Sequence, residues 1–223
     1  EEKMDAVGKM PGGVLRREGR PGNSAILCAR LIDRPIRPLF DKRCRNDIHV
    51  VATVLSVDYD NAPELCGMIG ASASIGISDI PWDGPIAGVR VGRVNGKYVI
   101  NPTQEEMAAS TMNVTVAGSE EAIMMVEGGA QEAPEEEVLD AIMFGHETIK
   151  EICRFQKKII EEVGKEKRVL TFPEVPAEIE KDVEAFATES LKKAIFDADK
   201  LRRDGNIAAA KKAAMEHFAE ISP

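Results

Sequence analysis

Residues 89–100, VRVGRVNGKYVI, alternate around Asn95-Gly96. Both residues of that pair tolerate the positive φ values that a two-residue hairpin turn demands, so the stretch predicts two antiparallel strands, Val89–Val94 and Tyr98–Ile100. Working outward, Thr103 and Glu106 have the spacing of a capping box and predict a short helix after the hairpin. Met112–Val116 and Ala122–Val126 predict a second hairpin, turning near Gly118. Pro134 and the glutamates after it open a long helix with apolar positions 138, 142, 149, 152, 159 and 163, ending at Gly164. On the N-terminal side, Leu65–Ile77 carries so many Gly, Ala and Ser residues that it reads as a helix pressed closely onto a sheet. Ile48–Val57 (IHVVATVLSV) is β-branched and apolar and reads as a buried strand. Ser24–Ile32 reads as a helix, broken by Pro35 and Pro38.

The chain of 223 residues is 43% hydrophobic and 30% charged, enough for a real core and a polar surface. Its ten aromatics are few for an all-β sandwich. The two-hairpin pattern interleaved with helices gives an α+β fold over residues 1–167. RVLTFPEVP, residues 168–176, reads as a linker. Residues 177–223 read as a small all-α domain, with Ile179, Val183, Phe186, Leu191 and Ile195 on one helix and a candidate break at Asp204-Gly205-Asn206.

Composition excludes several classes of function. The longest uncharged stretch, Leu65–Ser78, is too short for a membrane helix. The chain opens on charged residues, which speaks against a signal peptide. The four cysteines (Cys28, Cys44, Cys66 and Cys153) have no paired spacing of the kind a zinc site uses, and read as reduced thiols of a cytoplasmic protein. There is no nucleophile elbow or phosphate-binding glycine fingerprint. Asp58 and Asp60, or Asp79 and Asp83, read as polar turns rather than metal ligands, and His146 as a helix-surface or core residue.

The net charge of −9 conceals an asymmetry. Residues 1–45 hold eleven Lys and Arg against six Asp and Glu, whereas residues 46–223 hold eighteen against thirty-two. A basic segment on an acidic body suits a phosphate-bearing partner, because the local field is what that partner meets. Within it lie Gly12-Gly13-Val14-Leu15-Arg16-Arg17-Glu18-Gly19-Arg20, then Arg30, Arg34 and Arg37. Glycines allow close backbone approach, and guanidinium forks match phosphate oxygens. Arg30 and Arg34 share a helix face. Spacing alone leaves an equal alternative, in which these arginines pair with acids such as Asp33 and Asp41.

The runs KMPGGVLRREGRP, ARLIDRPIRPLF, VLSVDYDNAPE and ISDIPWDGPIAGVRVGRVNGKYVINPT closely resemble the first RNase PH-like core domain of the polynucleotide phosphorylase (polyribonucleotide nucleotidyltransferase) family. The resemblance continues through MMVEGGAQEAPEEEVLDAIMFGHETIKEI to KKAIFDADKLRRDGNI in the helical segment. It implies an RNase PH-like mixed sheet with packed helices, in a domain lacking its N-terminal strands, followed by part of a helical domain. The parent protein would be a homotrimer that degrades single-stranded RNA from the 3′ end, using inorganic phosphate as co-substrate and Mg2+ held outside this chain. Partners in RNA degradation are compatible with that role.

The resemblance makes Gly12, Gly13, Val14 and Leu15 a channel loop, and Arg16, Arg17, Arg20, Arg30, Arg34 and Arg37 RNA-binding residues, with no catalytic or metal-binding residue in this chain. Family members often carry aromatics where Val14 and Leu15 stand, so the π-faces on which bases stack are absent. The paired aspartates of the catalytic domain correspond here to Thr111 and Asn113, before Val116-Ala117-Gly118, and a neutral Asn lacks the charge that a magnesium site wants. A non-catalytic RNA-binding or structural module is the alternative.

Overall fold

The asparagine-glycine turn is built as its sequence demands: in the computed structural model, which describes Gly8 and residues 21–58, 60–172 and 176–219, Asn95 has φ 51° and Gly96 φ 76°. It joins β1 (Ala87–Val94) to β2 (Lys97–Ile100), with Val94 opposite Lys97 and Val91 opposite Ile100. The capping box at Thr103 and Glu106 is complete and starts the short α3 (Gln104–Ala108). The second hairpin, β3 (Met112–Gly118) and β4 (Ile123–Ala130), completes a four-stranded sheet of order β2-β1-β3-β4 in which every pairing is antiparallel. Gly118 occupies its bulge because a Cβ there would lie 2.3 Å from the Ala122 carbonyl oxygen.

Side chains alternate across the sheet and so provide two packing faces. Val89, Val91, Val114 and Val116 form one core with α4 (Glu135–Val163). Three glutamates in the first turn of α4 complement its dipole. The stripe that meets the sheet is Ala141, Gly145, Ile149 and Cys153. This corrects the sequence reading in part: Ile149 is central, but Val138, Ile142 and Ile152 sit on the flanks and Val163 is exposed. Small residues take the line of closest approach, and the larger side chains close in from the sides.

On the opposite face lies α2 (Pro63–Ile77), with Leu65, Met68, Ala71 and Ile75 buried. Met68, Ala71 and Ile75 form a second core with Ile86, Ala117 and Met125, and the Ile86 amide donates to Ser72 Oγ at 2.9 Å. Beside α2, and also touching β4, runs α1 (Asn23–Ile36), followed by a 3-10 turn at Arg37–Leu39. The helix therefore passes through Pro35 instead of stopping before it. Pro35 falls in the last turn, where its missing N–H forfeits one bond, and both Pro35 and Ile36 are buried. Trp82 Nε1 donates to the Ile36 carbonyl at 3.1 Å, satisfying an oxygen the helix leaves open.

A second correction concerns Ile48–Val57, which forms no strand. Val54 makes an isolated bridge, and Val51 and Leu55 are 70% and 83% exposed. The segment lies along α2, lining a groove with Gly67, Gly70 and Ser74. High β-propensity produces a strand only where a neighbour supplies the ladder, and the sheet of the described residues runs elsewhere.

Lys167 Nζ donates to the carbonyls of Ile75, Gly76 and Ser78 at 3.1, 2.7 and 2.7 Å, closing the C-terminus of α2. Burial pushes this ammonium down from its usual pKa. The chain divides into two compact units after Leu170. The second contains α5 (Ala177–Ile195) and α6 (Lys200–Phe218), packed as a helical pair with Phe186 stacked on His217 at 4.3 Å. Asp199 caps α6 by accepting from the Arg202 amide at 2.8 Å. The expected break at residues 204–206 is absent, since a mid-helix glycine costs only about 1 kcal/mol, well within what a nineteen-residue helix tolerates.

Two glycines should respond oppositely to a side chain. A Cβ on Gly145 would lie 2.9 Å from Val91 Cγ2 and 3.3 Å from Val89 Cγ2, so Gly145→Val should destabilise the first unit by about 1–3 kcal/mol. Gly205 has open space around it, so Gly205→Ala should stabilise α6 by about 0.5–1 kcal/mol. Denaturant titrations of the two variants check both signs.

Candidate nucleic-acid interface

The sequence places its candidate cations in two groups. Gly12, Gly13, Val14, Leu15, Arg16, Arg17 and Arg20 lie outside the described residues. Arg30, Arg34 and Arg37 lie on or just beyond α1, spaced about one turn apart.

Their surroundings differ. Arg30 is exposed and has no ion-pair partner among the described residues. Arg34 Nη1 lies 3.0 Å from Glu127 Oε2 on β4. Arg37 grips Asp33 through Nη2 at 2.6 Å and Nε at 3.1 Å, and that hydrogen-bonded carboxylate raises the Arg37 guanidinium above its usual pKa. The pairing alternative thus accounts for Arg37, while Asp41 is taken by Arg43, whose hydrogen bonds pull the Asp41 carboxyl down to about 2.

Between α1 and the sheet is a cavity of about 670 Å³ lined by Ser24, Leu27, Arg90, Asn113, Thr115 and Glu127. Arg90 Nη2 bonds Glu64 Oε1 at 2.6 Å, with side-chain exposures of only 27% and 18%, and the buried Arg90 Nε has no hydrogen-bond partner among the described residues. Arg90, Glu64 and Glu127 are absent from the sequence reading. The available signal was the alternation itself: in VRVGRV the odd positions face α4, so Arg90 must point to the opposite face.

The positions matching the family's paired aspartates can be tested as a metal site. Thr111 and Asn113 are exposed and offer a hydroxyl and a neutral amide. The carboxylates lining the same cavity, Glu64 and Glu127, are held by Arg90 and Arg34. These residues do not fit a magnesium ion, which wants uncommitted carboxylate oxygens.

The family comparisons agree with this architecture. The model described as 3′ exoribonuclease family, domain 1, matches residues 1–81, and that for domain 2 matches residues 84–148. The chain is 52% identical to polyribonucleotide nucleotidyltransferase of Heliobacterium modesticaldum, over 99% of this chain and 32% of the relative. It is 52% identical to the protein of that name from Syntrophomonas wolfei, over 100% and 32% respectively. For Clostridioides difficile the identity is 51%, over 98% and 31%. The chain therefore spans about a third of the length of the curated relatives it matches.

Structural and exchangeable ion pairs should separate on mutation. Glu64→Ala leaves the largely buried Arg90 without its partner and should cost about 1–3 kcal/mol of stability. Asp33→Asn breaks an exposed pair and should leave the unfolding midpoint nearly unchanged. Parallel urea melts check the contrast.

Proposed function

We propose, from the premise that this chain belongs to the 3′ exoribonuclease family, that it guides RNA within a longer phosphate-dependent exoribonuclease, a polyribonucleotide nucleotidyltransferase. The observation that carries this reading is about 50% identity along nearly the whole chain to relatives of that name. In the reaction, an oxygen of inorganic phosphate attacks the 3′-terminal phosphorus, the bond to the penultimate 3′ oxygen breaks, and a nucleoside diphosphate leaves.

The division of labour follows from the residues. Thr111 and Asn113 provide no carboxylate pair, and the family resemblance implies that magnesium and the attacking phosphate are held in a second core domain of the longer protein. Residues 1–167 are proposed as the first core domain, 168–176 as its linker and 177–223 as part of a helical domain. Arg16, Arg17 and Arg20 on the glycine-flanked loop, with Arg30, Arg34 and Arg37, are proposed to contact phosphates of a single strand entering a homotrimeric channel. Gly12, Gly13, Val14 and Leu15 are proposed to form that loop's backbone and apolar contact surface. No helix among the described residues is long and apolar enough to cross a membrane, and a cytoplasmic location suits an enzyme of mRNA degradation.

Two experiments test the reading. Incubated with RNA, phosphate and magnesium, the pure 223-residue chain should release no nucleoside diphosphate, while the longer protein should release it in proportion to enzyme. Dose-dependent release by the short chain would overturn the placement of the chemistry. In the longer protein, replacing Arg16 and Arg17 together with alanine should weaken poly(A) and poly(U) binding alike. It should also flatten the log-log salt dependence by about one to two units, at roughly 0.7 per phosphate contact. An unchanged slope, with folding verified by a melting curve, would retire the channel-loop assignment.

A further inference from the structure

Three guanidiniums on one helical segment have three different fates, and the difference is chemical. Arg30 is uncommitted among the described residues, Arg37 is held on two prongs by Asp33, and Arg34 is held at 3.0 Å by Glu127, which arrives from β4 far along the chain. A guanidinium presents the same fork of donors to a carboxylate as to a phosphate. A carboxylate seated on that fork therefore competes directly with an RNA phosphate.

Burial decides which pairs can exchange. The Arg90–Glu64 pair is largely enclosed and acts as structure. Arg34 and Glu127 are 48% and 57% exposed, and exposed pairs of this kind contribute little to stability, so opening one costs the fold almost nothing. We propose that Glu127 and Asp33 act as internal competitors for RNA phosphate, holding Arg34 and Arg37 so that α1 grips the strand chiefly through Arg30 and exchanges the other two as the strand moves. This rests on the RNA-guiding reading above. It suits a substrate shortened one nucleotide per cycle: the strand must be retained yet advance, and a waiting carboxylate recaptures each guanidinium as a phosphate leaves it.

The test uses the longer protein and an unstructured RNA. Glu127→Gln keeps the side-chain shape and removes the charge. Affinity should rise about two- to five-fold, the scale of an exposed ion pair, and the log-log salt slope should steepen by about 0.7, one added phosphate contact on a single strand. Adding Arg34→Ala to Glu127→Gln should cancel the gain. Asp33→Asn is an independent second variant, whose gain should depend on Arg37 in the same way. Unchanged or weaker binding by both charge-neutralised variants, with wild-type melting, overturns the competitor role. If Arg30→Ala weakens binding while neither variant gains, only the competition fails and the RNA-guiding reading stands. If Arg30→Ala, Arg34→Ala and Arg37→Ala all bind as wild type, α1 makes no RNA contact and both fall.

Discussion

The close seat of α4 on the sheet is the contact around which the first unit is organised. Ala141, Gly145, Ile149 and Cys153 recur every four residues, so one narrow stripe of mostly small side chains follows the helix. Gly145 sits where a Cβ would crowd Val91 at 2.9 Å and press on Val89 at 3.3 Å. With the helix this near, Val89, Val91 and Val116 are covered completely and the larger residues of α4 close the edges. The opposite face obeys the same constraint: a Cβ on Gly88 would lie 2.6 Å from Met68 Sδ, so glycine lets α2 approach. Interiors packed to this density transmit position, and each layer fixes the next.

That transmission places the charges. Packing of α2 on the sheet puts Glu64 beside Arg90, and packing of α1 beside α2 carries Arg34 to Glu127 on β4. Glu64, Arg90 and Glu127 line one cavity, but the two pairs differ in what they do. Arg90 and Glu64 have lost most of their water, so each needs the other. Arg34 and Glu127 keep theirs, so neither does. An overall charge of −9 says nothing of this distinction, which depends on depth beneath the surface.

The family comparisons and the fold point the same way. The matched family models cover residues 1–81 and 84–148, and the four-stranded sheet with its flanking helices is an α+β arrangement of the expected kind. Thr and Asn stand at positions 111 and 113 and offer no carboxylate there. Fold and chemistry are separable, because function depends on the groups a fold carries rather than on the fold itself.

The sequence by itself determined whatever depends on neighbours a few residues away. Asn95-Gly96 dictates its turn, Thr103 and Glu106 cap their helix, and the alternation in β1 assigns a face to each residue. It also put Arg30 and Arg34 on one helix face, because the period of a helix is a local property. Only the tertiary structure decided that α1 continues through Pro35, where burial and the Trp82 hydrogen bond outweigh a lost amide. It alone decided that Ile48–Val57, for all its β-branched residues, has no ladder, because a strand is a relation between segments. The fate of the α1 arginines divides along the same line. Asp33 lies one turn from Arg37 and could be named from spacing, whereas Glu127 reaches Arg34 only after the chain has closed a sheet across the intervening residues.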